Sequence, residues 1–251
     1  MVRVEVLFPE IANLSGDLQN IAYLKRCSDE IEVIEDNLID EPMFLSEKPD
    51  LIYLGNTTES GQKIIIEKLS LYKEKIIELI NENVYFLVTG NALEIFGRAI
   101  TDNDGKNLAG LDFFPIITKC DMLNRYNSLY LGNFVDNENE IKIVGFKSQF
   151  GHSYWTDKET SVFDKECGYV FDTIKGAGLN PDITFEGIRK NNFLATYIIG
   201  PILILNPLFT KWLLKEIGVT KPALYLEEDI MTAYNARLVE YSAPDKDFIY
   251  H

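Results

Sequence analysis

Apolar and polar positions along the first hundred residues form blocks that predict alternating strands and helices. The predicted strands are 2–8, 31–35, 51–54 and 84–88, and the predicted helices are 17–28 and the stretch between 59 and 81. Strands that alternate with helices are typical of a parallel sheet covered on both faces. We therefore expect an α/β fold with a doubly wound, mostly parallel sheet, whose functional crevice lies at the carboxyl ends of its strands.

The pattern changes after residue 100, where short strands and turns predominate. Asp104-Gly105 predicts a hairpin, and 141–146 predicts a further strand. Asn206 is expected to cap a helix that begins at Pro207. Acidic residues at 227–229 precede another helical stretch, whose positive end would attract them without a metal. Without a linker or repeat, 1–251 is expected to form a single domain with added short strands in its second half.

The strand predicted at 84–88 ends in Thr89-Gly90-Asn91 and is followed by apolar residues at helical spacing. This order predicts a strand, a sharp turn with Thr89 and Gly90 at its apex, and a helix. Turns of this kind expose the apex side chain beside backbone amides that can hold an oxyanion, so enzymes often mount a nucleophile there. The alternative is an ordinary strand-to-helix turn, since glycine and asparagine suit any tight turn.

Three other stretches, taken in order with this turn, carry a family resemblance. They are 7–21 (LFPEIANLSGDLQNI), 49–56 (PDLIYLGN) followed by Gln62, and 186–207 with EGIR, ATYIIGP and NP. Together they resemble a class I glutamine amidotransferase domain of the cobyric acid synthase type, most closely the glutaminase subunit of lipid II isoglutaminyl synthase. The resemblance runs from about Val4 to Leu214 and is loose between Arg98 and Glu140.

The resemblance implies that both catalytic positions of the family are altered. The family turn reads Cys-Gly-Gly-Tyr-Gln-Leu-Leu-Gly, which places Gly90 at the cysteine and Glu94 at the glutamine. The later family motif Thr-Tyr-Leu-His-Gly-Pro places Ile199 at the histidine. Glutaminase chemistry needs a thiolate nucleophile and a proton-transferring base, and neither glycine nor isoleucine can serve. Thr89 supplies the hydroxyl at the apex and is the candidate substitute nucleophile.

Other positions of the family site also differ. The family has Gly-Gly-Gly after the strand at 51–54, whereas this chain has Gly55-Asn56-Thr57, and an ordinary polar turn is the alternative there. A family loop with an acidic residue and a histidine resembles 144–154, where Lys147 and Gln149 take those places. The candidate ligand-binding residues are Gly55, Asn56, Thr89, Gly90, Asn91 and His152, although a loop histidine is more often a surface or packing residue.

Composition narrows the function classes further. The chain has 24 basic and 39 acidic residues and a net charge of -15, which disfavours nonspecific binding to nucleic acid or anionic membranes. Neither a run of about 18 apolar residues nor the apolar core of a signal peptide is present. Three cysteines without paired spacing fit a reducing compartment. We expect a cytoplasmic protein without membrane insertion, metal or cofactor.

Three hypotheses of function follow. The first is a catalytically silent amidotransferase-like subunit or regulator in cell-wall synthesis, whose partner, by the resemblance, is a Mur-ligase-like synthetase. The second is a binding module in which backbone donors around Gly55 and Gly90 hold a small amide or amino acid. The third is a hydrolase with altered chemistry that uses Thr89. Whether enzyme activity remains is left open by the sequence.

Overall fold

The computed structural model describes residues 1–136, 139–156, 161–163 and 167–250. Its strands, in chain order, are β1 (Val2–Leu7), β2 (Ile31–Asp36), β3 (Leu51–Leu54), β4 (Tyr85–Thr89), β5 (Ala99–Thr101), β6 (Asn107–Ala109), β7 (Ile116–Cys120), β8 (Tyr126–Asp136), β9 (Asn139–Gln149), β10 (Gly151–Trp155), β11 (Phe171–Lys175), β12 (Phe185–Glu186), β13 (Ile188–Lys190), β14 (Phe193–Thr196) and β15 (Ile249–Tyr250). Its α-helices are α1 (Gln19–Cys27), α2 (Glu59–Ser70), α3 (Lys73–Asn81), α4 (Ile202–Leu205), α5 (Pro207–Glu216) and α6 (Glu227–Ser242).

The central sheet has six strands in the order β13-β14-β4-β3-β1-β2. All neighbouring pairs are parallel except β13 with β14, which are antiparallel at one edge. The strand order reverses at β1, because β2 lies on one side of it and β3, β4 and β14 follow on the other. The carboxyl ends of β3, β4 and β14 lie beside one another, because these strands are parallel neighbours. The predicted α/β fold with a mostly parallel sheet is confirmed.

Helices cover both faces of this sheet, because successive side chains of a strand point in opposite directions. Along β4, Phe86 and Val88 enter one apolar cluster, which includes Ile65 of α2. Leu87 points the other way into a second cluster, which includes Leu24 of α1 and Leu213 of α5. Burial on both faces explains why the central strands read as continuous apolar runs rather than as alternating ones.

Short strands were predicted in the second half of the chain, and most of the described strands after β4 form two smaller sheets. One has the order β10-β7-β5-β6, and the other has the order β12-β11-β8-β15, with β9 paired to β8. The β5–β6 pair is the predicted hairpin, and Gly105 in its turn has a φ of +79°. The predicted strand at 141–146 lies within β9, whose long antiparallel pairing with β8 brings Gln149 opposite Tyr126.

The prediction of a helix after the turn that follows β4 is wrong as to the type of helix, because residues 90–96 form a short 3₁₀ helix. The carbonyl oxygens of Ile95 and Phe96 accept hydrogen bonds from Leu111 and Phe113, at 2.8 and 3.0 Å. These later residues take the acceptors that an α-helix would need in order to continue. The chain therefore leaves the turn directly into β5.

The prediction that the Asn206 side chain caps α5 is also wrong. Asn206 precedes Pro207 at the start of α5, but its side chain makes no capping bond. Its Oδ1 accepts from the Val144 amide at 2.8 Å, and its Nδ2 donates to the carbonyl oxygens of Val144 and Ile202, both at 2.8 Å. Asn206 therefore ties α4 and α5 to β9 across the fold.

The acidic residues Glu227, Glu228 and Asp229 lie in the first turn of α6, where the positive end of the helix attracts them. Within the described ranges, the helices are too short or too polar to cross a bilayer.

Candidate functional site

A cavity of about 170 Å³ lies at the carboxyl ends of β3 and β4. This is the edge at which doubly wound sheets place their ligand sites. Its walls are formed by residues from the β1–α1 loop, the β3–α2 loop, the turn after β4, the β7–β8 loop, the end of β9 and the segment after β14. They are Leu14, Ser15, Asn56, Thr57, Thr58, Glu59, Gly90, Asn91, Glu94, Met122, Arg125, Ser148, Gln149, Phe150, Gly151, Tyr197 and Ile199.

Gly90, at the predicted nucleophile position, has the Asn56 side chain packed against its Cα. Its φ of +62° lies in the left-handed region that favours glycine. A Cβ atom added to Gly90 would lie 2.3 Å from Asn56 Oδ1 and 2.6 Å from Asn56 Cβ. Any side chain at position 90 would therefore have to displace Asn56, which replaces a glycine of the family loop.

The backbone amides around this turn are already hydrogen-bonded within the protein. The Asn91 amide donates to Asn56 Oδ1 at 3.0 Å, and the Asn56 amide donates to Asp17 Oδ2 at 2.8 Å. The Thr57 amide donates to Asn91 Oδ1 at 3.0 Å, and Asn91 Nδ2 returns a bond to the Thr57 carbonyl at 2.8 Å. A substrate oxyanion would have to compete with each of these internal acceptors.

The prediction that Thr89 lies at the apex of the turn is wrong, because Thr89 is the last residue of β4 and lies behind the turn, away from the cavity wall. Its side chain is fully buried, and its hydroxyl donates to Asp17 Oδ2 at 2.5 Å. The Tyr53 hydroxyl lies 3.1 Å from Thr89 Oγ1 and donates to the Asp17 carbonyl at 2.9 Å. Burial raises the pKa of Asp17, while the Thr89 and Asn56 hydrogen bonds oppose that shift. Thr89 therefore belongs to a buried polar network that supports the turn.

Two other predicted binding residues are also away from the cavity wall. A Cβ added to Gly55 would lie 2.3 Å from the Ala12 carbonyl oxygen, so glycine there permits close approach of the β1–α1 loop. His152 is buried, with Nε2 3.2 Å from the Asn124 carbonyl oxygen and its ring edge-on to Tyr126. Burial lowers the pKa of His152, which favours the neutral ring. The other three candidates, Asn56, Gly90 and Asn91, do line the cavity.

Ile199, at the predicted histidine position, contributes an apolar side chain to the wall. Its amide donates to the Phe146 carbonyl at 2.9 Å, which holds the segment after β14 against β9. Among the described residues, neither a cysteine nor a histidine lines the cavity. The described chain likewise contains no group of three or more acidic, cysteine or histidine residues that could hold a metal ion.

The 3₁₀ helix that follows the turn carries a buried carboxyl group that the sequence predictions did not identify as a functional residue. Glu94 is 2% exposed, and its two oxygens accept from Gln62 Nε2 at 2.9 Å and from the Tyr197 hydroxyl at 3.0 Å. Burial raises the pKa of Glu94 to about 7, despite these two donors. The sequence signal was present, because Glu94 interrupts an apolar run between Leu93 and Ile95.

A buried ion pair supports Tyr197, whose hydroxyl donates to Glu94. Lys147 Nζ lies 2.5 Å from Glu186 Oε2 and also donates to the carbonyl oxygens of Ala177 and Gly178, at 3.0 and 2.7 Å. Glu186 Oε1 accepts from the amide of Tyr197 at 2.7 Å, and both charged side chains are fully buried. The pair therefore positions Tyr197, although the sequence marked Lys147 only as a departure from the family.

Comparison with known proteins identifies the family to which this architecture belongs. The model of the CobB/CobQ-like glutamine amidotransferase domain matches residues 4–205. The chain belongs to this family. The match spans β1 to α4, and therefore includes the Gly90 turn, Glu94 and Ile199.

Two curated relatives of this amidotransferase-like chain are GatD subunits of glutamine-hydrolysing lipid II isoglutaminyl synthase. The protein of Staphylococcus aureus (strain N315) is 26% identical over 208 residues, covering 81% of this chain and 79% of its own. The protein of Streptococcus pneumoniae (strain ATCC BAA-255 / R6) is 27% identical over 252 residues, covering 96% and 90%.

Solved structures show the same fold at low identity. A glutamine amidotransferase from Thermotoga maritima superposes with a TM-score of 0.50 and 11% identity, covering 95% of this chain and 92% of its own. A second glutamine amidotransferase gives a TM-score of 0.53 and 14% identity, covering 86% and 99%. The mixed, mostly parallel sheet with flanking helices is thus the glutamine amidotransferase fold.

Proposed function

We propose that this chain is an amidotransferase-like subunit that has lost glutamine hydrolysis and acts as a scaffold or regulator of a synthetase in cell-wall synthesis. The observation that carries the proposal is the position of Asn56. Its side chain takes the space that a side chain at Gly90 would need, and its oxygen accepts from the Asn91 amide. The Asn56 side chain therefore fills the turn on the side where an amidotransferase holds its nucleophile and substrate oxyanion.

The chemistry of the walls supports the loss of activity. Glutamine hydrolysis needs a thiolate that attacks the amide carbon and a base that moves protons between the two tetrahedral steps. Gly90 and Ile199 occupy the two family positions, and neither side chain can perform these steps. The three cysteines of the chain all lie in its described part, and all are away from the cavity wall.

The alternative hydrolase hypothesis, with Thr89 as nucleophile, receives no support from its surroundings. The Thr89 hydroxyl is buried and directed to Asp17, behind the turn. A carboxylate can act as a base for a hydroxyl, but an attacking oxygen must also reach the substrate. Because Thr89 is absent from the cavity wall, a substrate in the cavity would not meet its hydroxyl.

The partner is proposed from the relatives. Two of them are named as subunits of lipid II isoglutaminyl synthase. The family resemblance of the sequence implies pairing with a Mur-ligase-like synthetase. Substitutions at the reacting atoms remove chemistry without disturbing the two buried clusters that hold the sheet. We therefore propose a Mur-ligase-like partner. A cytoplasmic location is proposed as well, in keeping with three cysteines that form no disulfide within the described chain.

The test is co-expression of this chain with the Mur-ligase-like synthetase of the same cell, followed by size-exclusion chromatography and an assay of glutamate release from glutamine. We expect one co-eluting complex and no release of glutamate, either by the chain alone or by the complex. Glutamate release that is abolished by Thr89→Ala would support the hydrolase instead. The absence of a stable complex would remove the proposed subunit role.

A further inference from the structure

A second groove lies between helix α2 and the strands β5, β6 and β7, away from the Gly90 turn. Its volume of about 320 Å³ falls within the range of small-ligand pockets. Glu59, at the start of α2, is the lining residue that this groove shares with the cavity beside the turn. We call it the α2 groove. Its other lining residues differ from those of the cavity, so it is a separate place for a ligand.

The sheet side of the α2 groove carries a row of apolar side chains. Leu108 of β6 is the register partner of Ile100 in β5, so both side chains point to the same face. Ile100 also pairs with Thr118 of β7, and Cys120 lies two residues further along that strand, on the same face. Burial is the main reason why the pKa of the Cys120 thiol is raised to about 12, so this thiol is neutral near pH 7. The sheet side of the groove is therefore uncharged.

The helix side of the α2 groove contains a hydrogen-bond acceptor without a donor. Gln62 is 2% exposed, and its Nε2 donates to the Asn91 carbonyl oxygen at 2.8 Å and to Glu94 Oε2 at 2.9 Å. These two acceptors fix the amide with its nitrogen toward the 3₁₀ helix. Gln62 Oε1 accepts no hydrogen bond from the described residues and, unlike Gln149 Oε1, is not fully enclosed. It therefore keeps surface that a ligand in the groove can contact.

The charges around the α2 groove cancel. Glu59 and Lys63 belong to α2, and Asp102 and Lys106 belong to the turn between β5 and β6. All four side chains are exposed, so water screens them, and they sum to zero when ionised. The groove therefore favours neither a cation nor an anion, and its apolar side and its one free acceptor determine what it can bind.

We propose that the α2 groove binds an uncharged, mostly apolar small molecule that donates one N–H or O–H to Gln62 Oε1 and packs its apolar part on Ile100, Leu108 and Cys120. A single donor matches the single free acceptor, because the Gln62 amide nitrogen is already engaged. A charged ligand would lose its hydration on this apolar side without a buried counter-charge. The inference depends neither on the synthetase partner nor on the loss of glutamine hydrolysis.

The probe is indole, which is uncharged and has one N–H donor. Benzofuran is the matched control, because it has nearly the same shape but carries an acceptor oxygen in place of the N–H group. Binding of each to the purified chain is measured by isothermal titration calorimetry. We expect saturable binding of indole, roughly fivefold tighter than that of benzofuran, since one net hydrogen bond contributes about that factor.

Modification of the cysteines by N-ethylmaleimide, followed by peptide mass spectrometry, locates the bound probe. Indole should slow the modification of Cys120, which lines the α2 groove, in proportion to its saturation of the protein. Cys167 is also half-buried but does not line the groove, so its rate should stay unchanged. Equal effects of indole on both cysteines would overturn the proposed location.

Variants test the two sides of the groove. Leu108→Trp fills the groove and should weaken indole binding at least tenfold, whereas Leu71→Trp, at an exposed position after α2, should change it less than twofold. Gln62→Leu should abolish the preference for indole over benzofuran. Absent or equal binding of the two probes by the wild-type chain would overturn the proposal, as would undiminished indole binding in Leu108→Trp. If Gln62→Leu fails to fold, the benzofuran control and Leu108→Trp still decide the outcome.

Discussion

The two walls of the cavity differ in how their polar groups are satisfied. On the turn side, Asn56 and Asn91 bond to each other and to their neighbours, so the backbone donors are used up within the protein. On the side formed by Glu94, Tyr197 and Gln149, Glu94 is bonded to Gln62 and Tyr197, whereas Gln149 Oε1 is buried and has no hydrogen-bond partner within the described protein. Both sides stand on the same family framework, yet one of them keeps a buried acceptor without a donor.

This difference shows that the fold of the family can be considered apart from the chemistry that relatives perform with it. On the turn side, Gly90 has the Asn56 side chain packed against it, and the proposed loss of glutamine hydrolysis rests on this contact. Substitutions confined to one wall should therefore have distinct consequences for stability.

The greatest loss of stability is expected at the buried ion pair of Lys147 and Glu186, which supports Tyr197. Lys147→Ala would leave the Glu186 carboxylate buried without its cation, which typically costs about 3–5 kcal/mol. We expect the free energy of unfolding, measured with urea, to fall by about that amount. Lys142→Ala is the matched control, because Lys142 pairs with Glu140 at 3.6 Å on an exposed surface and should cost below about 1 kcal/mol. Equal losses in both variants would contradict a structural role for the buried pair.

A dependence of stability on pH is expected next, and it comes from Glu94. Its pKa is raised from 4.5 to about 7, so between these values the folded chain holds a proton that the unfolded chain has released. The stabilisation that this proton provides is complete at pH values below the pKa of Glu94 in the unfolded chain. It is lost as the pH rises through the pKa of Glu94 in the folded chain, which lowers the free energy of unfolding by roughly 3 kcal/mol in total. Between pH 5 and pH 8, the free energy of unfolding of the wild-type chain should therefore fall by roughly 3 kcal/mol more than that of Glu94→Gln. Parallel pH profiles would show that Glu94 titrates normally.

A more modest change is expected on the turn side. Asn56→Gly removes the acceptor of the Asn91 amide and should lower the free energy of unfolding by about 1–2 kcal/mol. The Asn91 amide should then exchange its hydrogen faster, as NMR can measure, while the amides of β3 and β4 keep their protection. Unchanged exchange at Asn91 would mean that Asn56 does not occupy the oxyanion position.

The central strands were predictable from the sequence because they are buried on both faces, and the apolar run at 51–54 matches β3. The strand predicted at 31–35 matches β2 to within one residue, although β2 lies at the sheet edge and carries the exposed Glu32 and Glu35. The turn after β4 was also placed correctly, because Gly90 and Asn91 suit a tight turn. Local pattern and backbone preference were sufficient in these cases.

The remaining features depend on contacts between distant parts of the chain, which one sequence does not reveal. The 3₁₀ helix at 90–96 follows from bonds to residues 111 and 113, and Asn206 bonds to Val144 instead of capping α5. The contact of the Asn56 side chain with Gly90 joins two loops that are distant in the sequence. Glu94 and Gln149 likewise both contact the Gly151 backbone only because β9 and β10 return beside the turn. Periodicity predicts elements but does not predict which polar groups remain unpaired.

An assay of glutamate release from glutamine tests most directly whether the Asn56 side chain beside Gly90 has abolished hydrolysis. Release would be measured for the wild-type chain and for the double variant Gly90→Cys, Ile199→His, each with and without the co-expressed synthetase, and circular dichroism would verify that the variant is folded. We expect no release by either protein, because Asn56 occupies the space that a thiol introduced at position 90 would need and takes the Asn91 amide. Glutamate release by the wild-type chain, or by the double variant with Asn56 in place, would contradict the proposed loss of activity.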